Sequence, residues 1–360
     1  MPPPENGNLP ISFVDLIAVD RLGSNTFKSN ALAFGPANGN RTYGGHVYMQ
    51  AAYAAAQTVA EGMVLHNITG WFLLAGKANE RFIYTVRRIR DGGYSTRGVD
   101  VVQESDPNGM CFTCICSFKR PEKKASKKVD LLPQMDLRKT YAAALGSLRP
   151  GEHPEMPGVD APWYWEFSRR NNGYTDPFPG LHLHKVDMDA YNANKPPLDK
   201  KNLKYYSVRH PETMPNVQSD PNLHLCAHLY ASDRNSLFVI SNHLGVGNDY
   251  SQIASLSHTV IFHTDHCAPE EFSMLDPSTG QARWFCQEAW TGGARHGRGL
   301  HETRIWSDED GSQIASSIQD GMVRLKQDDG EGKAGFSPEG MIRQLEKDMQ
   351  QKHTEGNSKL

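Results

Sequence analysis

The alternation of apolar and polar positions is clearest over residues 220–233. Asp220 suits a helix N-cap and Pro221 the first helical position, where a missing N–H costs nothing. Leu223, Cys226, Ala227, Tyr230 and Ala231 recur at i, i+3, i+4, i+7 and i+8, one apolar face of a helix that ends on a carboxylate, Asp233. The small residues of 47–59 predict another buried helix, entered by a sharp turn through Gly44-Gly45. Each helix precedes a meander of strand-like runs. These fall at 66–74, 81–90, 96–104 and 110–118 in the first half, and at 253–262, 283–290, 299–306 and 313–325 in the second. A short helix over 12–19, strands near Thr26-Phe27 and over 181–186, and a tail helix marked by Met341, Leu345 and Met349 complete the prediction.

The halves repeat one another down to their turns. Asp91-Gly92-Gly93 answers to Thr291-Gly292-Gly293, Arg97-Gly98 to Arg298-Gly299, Asp106-Pro107-Asn108-Gly109 to Asp308-Glu309-Asp310-Gly311, and Leu65-His66 to Ser257-His258. This predicts an α+β chain built by internal duplication of a helix-plus-antiparallel-sheet unit. The expected division is a first domain at 11–120, a linker at 121–160, a second domain at 161–326 and a flexible tail at 327–360. Two such units can join sheet edge to sheet edge, with their helices side by side, as a pseudo-dimer.

Composition narrows the function. Hydrophobic residues at 38% and charged residues at 22% of 360 describe a globular chain long enough for two cores. A formal net charge of -3 offers no global field for nucleic acid or anionic membrane. No apolar run reaches the roughly 18 residues of a membrane span, and Met1-Pro2-Pro3-Pro4-Glu5-Asn6 lacks the features of a secretory signal. The lysines of 121–128 have no interleaved aromatics and read as a solvated connector. Cys111, Cys114 and Cys116 read as small hydrophobes in a buried strand. His182/His184 and His263/His266/Cys267 have metal-ligand spacing, but with fifteen histidines such pairs arise by chance, and no metal or cofactor is expected. The chain ends Ser358-Lys359-Leu360, a tripeptide read by the peroxisomal import receptor.

Four segments carry a family resemblance. They are Arg41-Thr42-Tyr43-Gly44-Gly45-His46-Val47, the run Arg90 through Arg97, Tyr230-Ala231-Ser232-Asp233, and a last group pairing 252–258 with 317–324. In this order and separation the chain resembles the acyl-CoA thioesterase II (C/M/P thioester hydrolase) family of double hot-dog enzymes. The resemblance implies hydrolysis of fatty or related acyl-CoA esters to free acid and CoA, with self-association, and the terminal tripeptide implies a place in the peroxisomal matrix. It assigns catalysis to Asp233, Ser255 and Gln319, and substrate binding to Gly44, Gly45, His46 and His258.

The residue types suit that chemistry. Thioester hydrolysis needs a water held against a carbonyl carbon, an acceptor for its proton and donors for the developing oxyanion. A carboxylate, a hydroxyl and an amide supply these without a covalent intermediate, and no G-x-S-x-G elbow is present. The chain departs from the family in having Ser255 for the usual Thr, Ser257-His258 for Asp-His, His46 for Gln, and 72–77 in place of an Arg-Pro-Gly-Asp ending. Two alternatives follow: a thioesterase of a specialised pathway acting on an unusual acyl-CoA, or a non-catalytic acyl-CoA-binding duplicate.

Overall fold

The computed structural model describes residues 7–120, 131–264, 268–326 and 337–357. Ser358, Lys359 and Leu360 lie outside these residues, as do His266 and Cys267. The first central helix runs Gly44–Ala56 and the second Pro221–Ser232, the latter capped by Asp220, whose side chain accepts from the Leu223 N–H as its sequence foretells.

In chain order the strands of the first half are β1 (Val19–Arg21), β2 (Thr26–Ser29), β3 (Val64–Phe72), β4 (Phe82–Arg90), β5 (Tyr94–Gln103) and β6 (Phe112–Lys119). Those of the second are β7 (Leu181–Lys185), β8 (Asn202–Val208), β9 (Tyr250–Phe262), β10 (Phe285–Arg295), β11 (Arg298–Ser307) and β12 (Gln313–Leu325). All twelve belong to one sheet, ordered β1-β2-β4-β5-β6-β3-β9-β12-β11-β10-β8-β7. Neighbours pair antiparallel throughout. This is the double hot-dog architecture expected from the repeat.

The halves meet at β3 and β9, paired from Asn67↔Ile261 to Trp71↔Ser257, with the Thr69 and Thr259 hydroxyls 3.1 Å apart. The central helices pack against each other on the inner face. Polar ties pin them: the Tyr43 hydroxyl donates to the Tyr230 carbonyl, and Tyr53 Oη to Asp220 Oδ2 at 3.0 Å. One apolar core runs through both halves, from Phe13 and Tyr48 to Tyr230 and Ile314.

Three expectations need correction. Thr291-Gly292-Gly293 is no turn: the β10–β11 hairpin turns at His296-Gly297, both at positive φ (53° and 70°), while the register slips by one residue at Gly292. Arg97 and Arg298 also differ, since Arg97 is fully buried and Arg298 forms an exposed pair with Asp320. Finally, 137–145 is not solvated connector. Leu137, Tyr141 and Leu145 pack on Leu203, Tyr205 and Trp306 of the second half, on the opposite face of β8 from the main core. That docking explains why β8, buried on both faces, has no alternating pattern to betray it.

Arg97 locks the first half. Its guanidinium donates to the Thr58 hydroxyl (2.9 Å) and carbonyl (3.0 Å) and to the Arg90 carbonyl (2.8 Å), and pairs with Asp91. Arg97→Ala would strand these acceptors, so we expect a loss on the order of 3 kcal/mol in urea unfolding. Arg97→Lys should recover only part of it, because an ammonium cannot span the same set of acceptors.

Candidate active site

Asp233 follows the last turn of the second central helix and is 7% exposed. Its surroundings come from both halves. Gln319, fully buried on β12, donates through Nε2 to Asp233 Oδ1 at 2.5 Å and to Ser255 Oγ at 2.6 Å. One amide nitrogen therefore joins the other two members of the proposed trio. The shared donor spends both amide protons, leaving the Ser255 hydroxyl proton to be directed elsewhere.

Ser255 reaches this position through a register shift. Inward-facing His258 on β9 pairs with inward-facing Gln319, so strict alternation would turn Ser255 outward. Between Asp320↔Ser257 and Gly321↔Ser255, however, Leu256 is an extra residue, and the shift returns Ser255 to the inner face. Glycine at 321 is favoured opposite it, because a Cβ there would lie 2.8 Å from the Ala254 carbonyl oxygen as well as against Leu237.

The first half contributes a helix start. Its central helix begins at Gly44 with no side-chain cap on Tyr43, and the Gly45 N–H favours the charged form of the Asp233 carboxylate. Such uncapped N–H groups favour negative charge. A Cβ on Gly44 would come within 2.8 Å of Asp233 Oδ2, so only glycine permits this approach.

Burial pushes the Asp233 carboxyl up to about 6. The Gln319 amide, the Lys204 ammonium, the Gly45 N–H and the Ser236 hydroxyl oppose that rise by favouring the charged form. The residue after it, Arg234, is buried between Phe34 and Phe178, with its guanidinium carbon 4.7 and 4.6 Å from their ring centres. It donates to the Gly158 and Pro157 carbonyls at 3.1 and 2.9 Å, which fixes the turn that carries Asp233.

Asp233 and Ser255 stand where two clefts meet. The larger, about 420 Å³, is walled by Val47, Phe72, Leu73, Leu74, Phe82 and Cys111 of the first half and by Ile253, Leu256 and Met322 of the second. The smaller, about 140 Å³, is bounded by Tyr43, Gly158, Asn235, Leu237 and Phe238. Gly44 lines both.

His46 and His258, expected at the substrate, are placed elsewhere. Both are fully buried and line neither cleft. His46 packs beside Phe82, and His258 stacks on Tyr48 with ring centres 4.6 Å apart. Burial lowers each to about 3, so both are neutral packing rings. Residues 72–76, which lack the family's usual ending, form a largely apolar cleft wall instead. Of the metal-spaced histidines, His184 Nδ1 bonds the His153 carbonyl and His263 Nε2 the Ser316 hydroxyl. Among the described residues no cluster of three or more His, Cys, Asp or Glu is arranged around a common centre for a metal. Nor is any described helix long and apolar enough to cross a membrane.

Comparison with known proteins addresses the family and the fold. Residues 35–119 match the family model for the acyl-CoA thioesterase N-terminal domain, and residues 150–323 that for the C-terminal domain. Acyl-coenzyme A thioesterase 8 of Mus musculus is 27% identical over 312 residues, covering 79% of this chain and 81% of the mouse protein. Acyl-CoA thioesterase 2 of Haemophilus influenzae is 22% identical over 326 residues, covering 88% and 98%. Among solved structures, an acyl-CoA thioesterase II from Mycobacterium marinum superposes with a TM-score of 0.61 at 23% identity, covering 88% of this chain and 98% of that one. With both domain models matched in order across most of its length, the chain belongs to the acyl-CoA thioesterase II family.

Proposed function

We propose that this protein hydrolyses acyl-CoA thioesters to free acid and CoA by direct attack of water. The observation that carries the reading is the single Gln319 nitrogen bonded to both Asp233 and Ser255 at the meeting of two clefts. Asp233 accepts the proton of the attacking water, and its raised pKa makes the carboxylate a stronger base than a solvated aspartate. The Ser255 hydroxyl orients that water. The uncapped helix start presents the Gly44 N–H to the carbonyl oxygen as it gains charge.

The acyl group lies in the larger, mostly apolar cleft, which excludes water from the reacting bond. The intact trio disfavours a binding-only duplicate. The altered wall at 72–77 favours acyl groups other than those of relatives with the usual ending, which is the specialised-pathway alternative. Delivery to the peroxisome through Ser358-Lys359-Leu360, and self-association, belong to the same proposal and rest on sequence and resemblance alone.

Thiol release measured across acyl-CoA esters of graded length and branching tests the activity; no release from any ester, with tight binding retained, would establish the binding-only alternative. Asp233→Asn should lower turnover by about 10³-fold while the fold persists. Near-normal hydrolysis by that variant would remove Asp233 from the mechanism. In the wild type, kcat/KM should fall on the acid side with a midpoint near 6, as Asp233 takes up its proton.

Because the folded-state value lies above the ordinary 3.8, ionisation of Asp233 costs the fold stability as pH rises between the two values. Asp233→Asn should therefore melt at a higher temperature than wild type at pH 7.5, with the difference vanishing towards pH 4. Gly44→Ala should cut turnover at least about tenfold through its clash with Asp233 Oδ2. Unchanged kinetics in Gly44→Ala would show that the close approach is not needed.

A further inference from the structure

A buried lysine beneath Asp233 has no direct part in the chemistry above. Lys204, on β8, is 3% exposed, and its Nζ donates to the Arg234 carbonyl at 2.6 Å. Its cross-strand partner on β10 is Gln287, whose Nε2 donates to the Ser232 carbonyl at 3.1 Å. The final carbonyls of a helix find no partner inside it. Here two adjacent side chains satisfy the carbonyls on either side of Asp233. Gln287 shows that a neutral group can do this. A buried ammonium, by contrast, is costly unless an opposite charge compensates it, and Asp233 interacts favourably with it.

We propose that Lys204 is a positioning residue for the hydrolysis: with Gln287 it clamps the carbonyls that flank Asp233, and its ammonium keeps that carboxylate ionised in its buried seat. The inference rests on the reading of Asp233 as the base. The groups that face Lys204 are Asp233, Asp160, Arg234, His258 and His301. Burial first, and Arg234 second, lower the ammonium to about 7, while Asp233 and Asp160 hold it up. Burial keeps both His258 and His301 neutral at that pH, so neither replaces the lysine's charge. Asp233 and Lys204 thus each favour the charged form of the other.

The test is the pH dependence of kcat/KM for the full chain and its Lys204→Met, Lys204→Arg and Gln287→Met variants, each first shown to melt cooperatively. Without the ammonium, Lys204→Met should move the acid limb up by about one pH unit, and activity near pH 6 should fall accordingly. Lys204→Arg should hold the limb at or below the wild-type position. Gln287→Met should lower kcat without moving the limb, since it removes a clamp but no charge. An unmoved limb in folded Lys204→Met overturns the proposal. If that variant fails to fold, Lys204→Arg decides, because a raised limb in a variant that keeps the charge would equally overturn it. Asp233→Asn measured alongside separates the two readings. Should it remain active, the base assignment fails; should it be inactive while the Lys204→Met limb stays in place, only the inference about Lys204 fails.

Discussion

The pairing of β3 with β9 is the constraint on which the rest depends. Each repeat is a curved sheet wrapped around one helix, with one edge unsatisfied. Joining those edges satisfies the backbone donors and acceptors that an open sheet leaves exposed. It also brings the start of one central helix beside the end of the other. The donors at Gly44-Gly45 and the carboxylate of Asp233 meet because of that join, though 188 to 189 positions separate them in the sequence.

Much of this was legible in the sequence, for identifiable reasons. Asp220-Pro221 and the apolar face behind them marked a helix whose cap is found as read. The Asp106-Pro107-Asn108-Gly109 and Asp308-Glu309-Asp310-Gly311 turns fall between β5 and β6 and between β11 and β12. What escaped is equally physical. β8 is buried on both faces and shows no alternation. Glycines at 292 and 293 look like a hairpin turn, yet one of them absorbs a register slip within a strand. The resemblance assigned His46 and His258 to the substrate, but the sheet and its helices enclose both rings. The resemblance supplied the identity of Ser255, while the backbone shift that turns it towards Gln319 has no sequence signature of its own.

Polar groups under the second helix are the other organising theme. Burial makes the charged form of Asp233 expensive, and several fixed donors hold it nonetheless. Asp233 is gripped by Gln319 and by an arginine-anchored turn, so its carboxylate has little freedom to seek water. Such preorganisation trades stability for reactivity, which is why strained or desolvated groups collect at active sites.

The close approach of Gly44 to Asp233 has an evolutionary corollary. A duplicated gene ordinarily frees one copy to drift, since its twin retains the original role. Here the two copies contribute different parts: one carries the carboxylate, the other the bare backbone beside it. A side chain at 44 in one copy would press on the carboxylate at 233 in the other, so the two positions are sterically coupled across the halves.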